Sequence, residues 1–199
     1  MRRAVGILAI ALASCVKAGA PPRVALPAAA PGRILLVRHA ESWKNLPDHG
    51  GKPSDQLDDL TPKGAGEAVA LGAMLGGRGI TAVASSPAQR ARKTAQPIAD
   101  SARVSLVVDD ALALPGLLET TEQMATRLAN AIASHRKAAP EGVLVVVTHG
   151  DLIAAFVGGI AGTPARKRER KNMPPVGSVT EIGIDAEGRW TLGATGVVP

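Results

Sequence analysis

Two uninterrupted aliphatic runs, each followed by a histidine, constrain the fold of this 199-residue chain most strongly. The first is Ile34-Leu35-Leu36-Val37, which follows Pro31-Gly32 and leads into Arg38-His39. The second covers residues 143–147 and leads into Thr148-His149-Gly150. Runs that are apolar at every position are typical of parallel strands covered by helices on both faces. The pattern therefore predicts two buried strands of one sheet, with a histidine at the end of each.

The rest of the chain alternates between helical and strand patterns. Thr61-Pro62 predicts the start of a helix, whose expected apolar face contains Ala68, Val69, Leu71, Gly72 and Leu75. Further strands are predicted at 80–85 and 104–108, and a hairpin at 179–184 and 190–192. Further helices are predicted from Ser86-Pro87 to about residue 100, at 121–137, and from residue 151 onward. We therefore expect a three-layer α/β/α sandwich with a mostly parallel central sheet and a C-terminal hairpin. The polar stretch from Ser42 to Asp59 is longer than a simple connection and is predicted to be a lid or substrate loop.

The N-terminus has the pattern of an export signal. Met1-Arg2-Arg3 is basic, and the apolar stretch that follows is too short to span a bilayer. Leu12-Ala13-Ser14-Cys15 resembles the lipobox of bacterial lipoproteins, in which Cys15 would be acylated. We predict a signal peptide at 1–14, a Pro/Ala-rich tether at 15–31 and one domain at 32–199, exported and lipid-anchored in the periplasm or at a cell-envelope membrane. The alternative is an ordinary secretory leader cleaved before Pro27.

The ends of the predicted strands place several cationic and imidazole groups together. Parallel strands present the same ends at one edge of a sheet, so Arg38, His39 and His149 are expected to meet there. Arg90 follows the strand at 80–85 by about one helical turn, and the N-terminus of its helix faces the same edge. Guanidinium groups and helix N-termini bind phosphate, and a neutral imidazole can carry a phosphoryl group. This edge is therefore predicted to be a phosphate site.

The residue types at this edge and elsewhere also exclude other ligands. A metal ion held by His39 and His149 would be repelled by the neighbouring arginines, so we expect no metal and no cofactor. Aromatic residues make up only 2% of the chain, which argues against nucleic acid because single strands need stacking platforms. The basic run Arg166 to Lys171 is interpreted as a surface loop, with contact to anionic lipid headgroups or recruitment of a polyanionic substrate as alternatives.

Four ordered blocks resemble the histidine phosphatase superfamily, the phosphoglycerate-mutase-like group of branch 1. The blocks are Arg38-His39-Ala40-Glu41-Ser42 with Asn45, Leu60-Thr61-Pro62-Lys63-Gly64, Ser85-Ser86-Pro87 with Arg90-Ala91 and Thr94-Ala95, and Thr148-His149-Gly150. The resemblance covers about residues 32 to 195. It implies that His39 is the phosphorylated nucleophile and that Arg38, Arg90 and His149 form the phosphate pocket. It further implies that Asn45 and Ser42 are secondary phosphate contacts.

Two positions depart from the pattern of that family. Ala40 stands where the family usually has Gly, which is acceptable if the backbone there does not need a positive φ. The Glu that serves many members as general acid is replaced in the stretch Leu112-Ala113-Leu114. Glu119 is the candidate replacement, with Glu122 and Asp110 as further options. A missing acid favours activated phosphates as substrates, because a good leaving group needs less protonation.

The remaining histidines have weaker claims to a role. His135 lies in Ser134-His135-Arg136-Lys137 and is predicted to be the solvated end of a helix. His49 lies in the expected lid and is interpreted as a plain loop residue, with substrate contact as the alternative.

The sequence thus predicts a phosphoric monoester hydrolase that acts on a phosphorylated small molecule or a phosphoprotein through a phosphohistidine at His39. One alternative is a catalytically impaired lipoprotein that binds a phosphorylated ligand, and the other is a phosphoglycerate-type mutase.

Overall fold

The computed structural model describes residues 26–163 and 173–199. Six strands form one sheet: β1 Gly32–Arg38, β2 Ile80–Ser85, β3 Leu106–Val108, β4 Val143–Thr148, β5 Val179–Ile184 and β6 Trp190–Leu192. The predicted lipidation site Cys15 and the basic run 166–171 lie outside the described residues.

The strands follow the order β3-β2-β4-β1-β5-β6. Strand β4 pairs in parallel with both β1 and β2, and β3 pairs in parallel with β2. Strand β5 runs antiparallel to β1, and β6 forms the predicted hairpin with β5. The α/β fold, with a mostly parallel sheet and a C-terminal hairpin, is thereby confirmed.

Helices cover both faces of this sheet: α1 Pro62–Leu75, α2 Gln89–Ala102, α3 Thr121–Ala138 and α4 Gly150–Ala161. Successive side chains of a strand point to opposite faces, so β1 contributes to two separate cores. Ile34 and Leu36 pack in the core that contains buried residues of α3 and α4. Leu35 and Val37 pack in the core that contains buried residues of α1 and α2. This two-sided burial explains why the strand is apolar at every position.

Two details of the predicted elements differ in the structure. Val69 was expected on the apolar face of α1 but is 64% exposed, because it lies one residue, and thus about 100° of helix rotation, beyond the buried Ala68. Strand β3 is shorter than predicted, beginning at Leu106 rather than at residue 104. It is the edge strand of the sheet, and both Val107 and Val108 are exposed.

The segments that border the sandwich are also ordered. Residues 42–59 form short 3₁₀ turns at Trp43–Asn45, Pro47–Gly51 and Ser54–Gln56. The described end of the predicted tether contacts the domain, because the Trp190 Nε1 donates to the Pro27 carbonyl at 2.8 Å. Within residues 26–163 and 173–199, no helix has the length and apolarity needed to cross a membrane.

Candidate active site

The candidate site lies at the edge of the sheet where its parallel strands end. In the β1–β4 pairing Arg38 lies opposite Thr148, and in the β2–β4 pairing Ser85 lies opposite Val147. The residues that follow these strands, among them His39, Ser86 and His149, therefore leave the sheet at the same level. This is the edge at which ligands bind in open α/β sheets.

One hydrogen bond fixes the tautomer of His39 and leaves Nε2 unprotonated. Its Nδ1 lies 2.8 Å from the Ala40 carbonyl oxygen, and because a carbonyl only accepts, Nδ1 carries the hydrogen. In the neutral ring the lone pair is then on Nε2. Burial lowers the pKa of His39 to about 4, with the charges of Arg90 and Arg38 acting in the same direction against the Ala40 hydrogen bond. The imidazole is thus neutral, as a nucleophile must be, over the physiological range.

His149 lies against His39 and is fixed through both of its ring nitrogens. The two ring centroids are 5.5 Å apart in an edge-to-face arrangement. His149 Nδ1 accepts from Arg90 Nη2 at 3.1 Å, and Nε2 therefore donates to the Ser86 hydroxyl at 2.8 Å. Burial, together with the charge of Arg90, lowers the pKa of His149 to about 2. His149 is consequently a neutral residue that orients the Arg90 guanidinium.

Arg38 brings a second, partly unpaired guanidinium to the site. Its Nη1 donates to the Pro174 carbonyl at 2.7 Å, whereas its buried Nε has no hydrogen-bond partner within the described chain. Gly150 leaves room for this group, since a Cβ there would lie 3.1 Å from Arg38 Cζ. Burial lowers the pKa of Arg38, with the charge of Asp151 opposing the effect and that of Arg90 adding to it. A buried N–H without an acceptor is a group that an anionic ligand can satisfy.

Arg90 is 3% exposed and already holds a carboxylate. Its Nη1 pairs with Asp58 Oδ1, and Asp58 Oδ2 accepts from the main-chain N–H of Gln89 at 2.7 Å. Gln89 is the first residue of α2, so the Asp58 carboxylate binds both the N-terminus of this helix and the Arg90 guanidinium. These are the donors that bind phosphate oxygens in proteins.

The backbone next to His39 is tied to α2 through Thr94. The Thr94 hydroxyl accepts from the Ala40 N–H at 3.0 Å and donates to the Arg90 carbonyl at 2.7 Å. Ala40 is fully buried and is not among the positive-φ residues of the described chain. The substitution of Ala for the usual Gly therefore puts no strain on this turn.

Ser42 and Asn45 bind each other beside the site. The Ser42 N–H and hydroxyl both donate to Asn45 Oδ1, at 2.8 and 2.9 Å. Ser42 is buried and Asn45 is exposed. Ser42 thus orients the Asn45 amide, while the predicted phosphate contacts of the two residues stay predictions.

Glu119, the candidate general acid, is bound to an arginine of α3. Its two carboxylate oxygens accept from Arg127 Nε and Nη2, each at 2.7 Å. These hydrogen bonds lower the pKa of Glu119, so that it is ionised at neutral pH and has no proton to donate. The geometry therefore does not support Glu119 as the proton donor.

The other two histidines have no hydrogen bond to these site residues within the described chain. His135 Nε2 lies 2.8 Å from Asp109 Oδ2, which differs from the solvated helix end that the sequence predicted. His49 is exposed in the turn Pro47–Gly51. No group of three or more His, Cys, Asp or Glu side chains is arranged for a metal ion within the described ranges.

Three contacts were not predicted from the sequence: that of Asp58 with Arg90, that of Ser86 with His149, and the bridge that Thr94 forms between Ala40 and α2. The loop that contains Asp58 was predicted to be functional, but no spacing rule distinguishes Asp58 from Asp59. The structure separates them, because Asp59 binds Lys93 Nζ at 2.7 and 2.8 Å while Asp58 binds Arg90.

Known proteins share both the sequence pattern and the fold. A profile of the histidine phosphatase superfamily (branch 1) matches residues 34–114 and 111–196. A 2,3-bisphosphoglycerate-dependent phosphoglycerate mutase from Thermoplasma acidophilum is 33% identical over 154 residues, which cover 62% of this chain and 73% of the mutase.

Solved structures resemble the chain over most of its length. YhfR from Bacillus stearothermophilus matches with a TM-score of 0.70 and 20% identity, covering 84% of this chain and 98% of its own. A phosphoserine phosphatase from Entamoeba histolytica gives a TM-score of 0.68 and 20% identity, covering 83% and 97%. A mycobacterial glucosyl-3-phosphoglycerate phosphatase gives 0.65 and 23%, covering 81% and 97%. These likenesses show the shared fold. The profile match over most of the chain, supported by the 33% identical mutase, shows that the chain belongs to branch 1 of the histidine phosphatase superfamily.

Proposed function

We propose that this protein is a metal-independent phosphatase that hydrolyses a phosphomonoester or an activated phosphate through a phosphohistidine at His39. The observation that carries the proposal is the state of His39. Its Nδ1–H is fixed on the Ala40 carbonyl, which leaves Nε2 as a neutral nucleophile beside Arg38, Arg90 and His149.

In the first step Nε2 of His39 attacks phosphorus, and the bond from phosphorus to the leaving oxygen breaks. Phosphoryl transfer depends mainly on alignment and on stabilising the charge of the equatorial oxygens. The free Nε–H of Arg38 and the donors that now hold Asp58 supply that stabilisation. Water then attacks the phosphohistidine, and inorganic phosphate leaves.

His149 and Thr94 act by positioning in this proposal. His149 accepts from Arg90 Nη2 and so sets the plane of the guanidinium that receives the phosphate. Thr94 bridges the Ala40 N–H and the Arg90 carbonyl, which keeps the nucleophile and the arginine at a constant separation. Such preorganised donors cost no reorganisation during the reaction.

A mutase is the second candidate, because the Thermoplasma acidophilum relative is named as a phosphoglycerate mutase. A mutase and a phosphatase share the phosphohistidine step and differ in whether an alcohol or water takes the phosphoryl group. The third candidate, a binding lipoprotein, keeps the pocket without turnover. The observation that favours a binding protein is that both carboxylate oxygens of Glu119, the candidate acid, are bound by Arg127.

We also propose that the protein is exported and anchored to a membrane through an acylated Cys15. The support for this is the order of basic, apolar and small residues before Cys15. Metabolic labelling with a fatty acid, compared between the full chain and Cys15→Ser, tests it.

Release of inorganic phosphate from a panel of phosphomonoesters and phosphoanhydrides tests the main proposal. The full chain is assayed with a chelator present, beside His39→Ala and the exposed-loop control His49→Ala. We expect activity that survives the chelator, vanishes in His39→Ala and persists in His49→Ala. Appearance of the phosphoryl group on an added sugar acid instead of water would identify a mutase. Phosphate binding that depends on Arg90, without turnover of any compound, would identify a binding protein.

A further inference from the structure

We propose that Asp58 is the general acid of this site, a role that rests on the proposed phosphatase function. The first argument is location. Among the carboxylates of the described chain, Asp58 pairs directly with Arg90 of the candidate phosphate pocket and binds the N-terminus of α2.

The second argument is that the carboxyl lies on the open side of the pocket. The Asp58 side chain is 32% exposed, whereas the side chain of its partner Arg90 is 4% exposed. In-line transfer puts the leaving oxygen opposite the attacking Nε2 of the buried His39. The leaving group is therefore expected at the open side of the pocket, where Asp58 enters from the loop of residues 42–59.

The third argument is electrostatic. Asp58 Oδ1 pairs with the Arg90 guanidinium, and Lys44 Nζ lies 3.9 Å from the same oxygen. The charge of Asp58 also acts on His39. An entering phosphate competes for the Arg90 and Gln89 donors and displaces the carboxylate. The freed carboxyl then lies at the open side of the pocket, with Lys44 as its remaining cationic neighbour, and passes a proton taken from solvent to the leaving oxygen.

The proposed proton transfers balance in both steps. As Nε2 of His39 bonds to phosphorus, the electron pair of the breaking P–O bond moves to the leaving oxygen, which takes the proton of Asp58. Asp58 is then a carboxylate. In the second step water attacks phosphorus, Asp58 takes one of its protons, and the electron pair of the P–N bond returns to Nε2. Inorganic phosphate and the starting form of both side chains result.

Other nearby carboxylates are less suited to this role. Glu41 binds the Thr61 hydroxyl and Lys63 Nζ, both at 2.9 Å, and Glu119 binds Arg127 through both oxygens. The side chains of Glu41 and Glu119 are 15% and 16% exposed, against 32% for Asp58, and neither of them pairs with Arg90. Asp151 lies in the first turn of α4, and its charge acts on Arg38. Asp151 is therefore the competitor that the experiment must include.

The experiment compares kcat/KM for 4-nitrophenyl phosphate, which has a good leaving group, with that for an alkyl phosphate that the wild-type enzyme hydrolyses. The variants are Asp58→Asn, Asp58→Glu, Asp151→Asn and the matched control Asp59→Asn. General acids contribute roughly 10²–10⁴-fold. We expect Asp58→Asn to slow the alkyl phosphate by about 100-fold or more and the nitrophenyl ester by less than about tenfold. Asp58→Glu is expected to restore part of the alkyl phosphate activity.

Equal losses on both substrates in Asp58→Asn would overturn the proposal, as would a leaving-group-dependent loss in Asp151→Asn instead. Unchanged turnover in Asp58→Asn with tighter binding of inorganic phosphate would show that Asp58 only competes with phosphate for the Arg90 and Gln89 donors. A wild-type enzyme that releases phosphate from no compound of the phosphomonoester and phosphoanhydride panel would overturn the phosphatase function itself, which is a separate result from an active enzyme without leaving-group discrimination.

Discussion

Two buried arginines lie at opposite edges of the sheet and have different kinds of partner. Arg90 is 3% exposed at the edge where the parallel strands end, and its partners are the side chains of Asp58 and His149. Arg136 is 1% exposed near the start of β1 and β4. Its guanidinium donates to main-chain carbonyls, those of Pro31 at 2.6 Å, Gly142 at 3.1 Å and Pro140.

The difference separates a structural cation from one that is available for chemistry. Main-chain carbonyls cannot leave Arg136 without moving the strands and loops that carry them. The carboxylate of Asp58 can leave Arg90 by rotation of one partly exposed side chain. Burial of an arginine alone therefore does not distinguish the two, whereas the kind of partner does: main-chain carbonyls for Arg136 and a partly exposed carboxylate for Arg90.

Replacing each arginine by methionine tests this comparison most strongly. Arg90→Met is expected to lower kcat/KM by roughly 10²–10³-fold, because one donor of a charge-stabilising pocket is lost. Arg136→Met is expected to lower the free energy of unfolding by about 1–3 kcal/mol, because three main-chain carbonyls at the start of β1 and β4 lose the hydrogen bonds of one cation. Urea unfolding and phosphate release, measured on both variants, distinguish the two effects. A large loss of stability in Arg90→Met with normal activity would show that Arg90, like Arg136, is a structural cation.

Acid is expected to destabilise the site edge through its two histidines. The pKa of His39 falls from 6.5 to about 4 on folding and that of His149 to about 2, in both cases mainly through burial. The unfolded chain therefore binds more protons than the folded chain below pH 6.5, so the free energy of unfolding falls as the pH is lowered from 6.5 toward 4. For His39 alone the loss approaches roughly 3 kcal/mol.

Urea unfolding at pH 7.5 and 4.5 measures this loss. His39→Asn and His149→Asn are each expected to reduce the difference between the two pH values, and the exposed control His49→Asn is expected to keep it. An unchanged difference in both buried-site variants would show that other groups cause the acid sensitivity.

A pair of glycines in α1 gives the smallest expected effects. A Cβ at Gly64 would clash with the carbonyl oxygen of Glu41, two residues after the candidate nucleophile, whereas a Cβ at Gly66 meets nothing within 4 Å. Gly64→Ala is expected to cost about 1–3 kcal/mol of stability, as overpacking does. It is also expected to lower activity, because the shift reaches the His39 turn.

Gly66→Ala is the matched control and is expected to stabilise the protein by about 0.5–1 kcal/mol, since alanine loses less backbone entropy in a helix. Chemical denaturation of both variants gives the two free energies. Stabilisation by Gly64→Ala would show that α1 and the turn after β1 can separate freely.

Local sequence patterns determined most of the fold. Aliphatic runs such as 143–147 specify buried strands because no polar residue interrupts them, and Thr61-Pro62 specifies a helix start, confirmed by the Thr61 hydroxyl that accepts from the Gly64 N–H. The sequence also placed Arg38, His39, Arg90 and His149 near one another, because parallel strands end at the same edge. What it could not give was the exposure of Val69 or the shortness of β3, which depend on packing and on position in the sheet.

The pairing of carboxylates with cations depends on the packing of distant segments and has no local sequence signal. Glu119 and Asp58 are both acids in loops, and their sequence neighbours do not reveal that Arg127 binds one and Arg90 the other. These pairings join residues 8 and 32 positions apart, and they depend on how loops lie over the sheet rather than on any local periodicity. Local patterns in the chain are thus enough to predict the strands, the helices and the cationic edge, whereas the carboxylate that faces this edge follows from the packing of the loops.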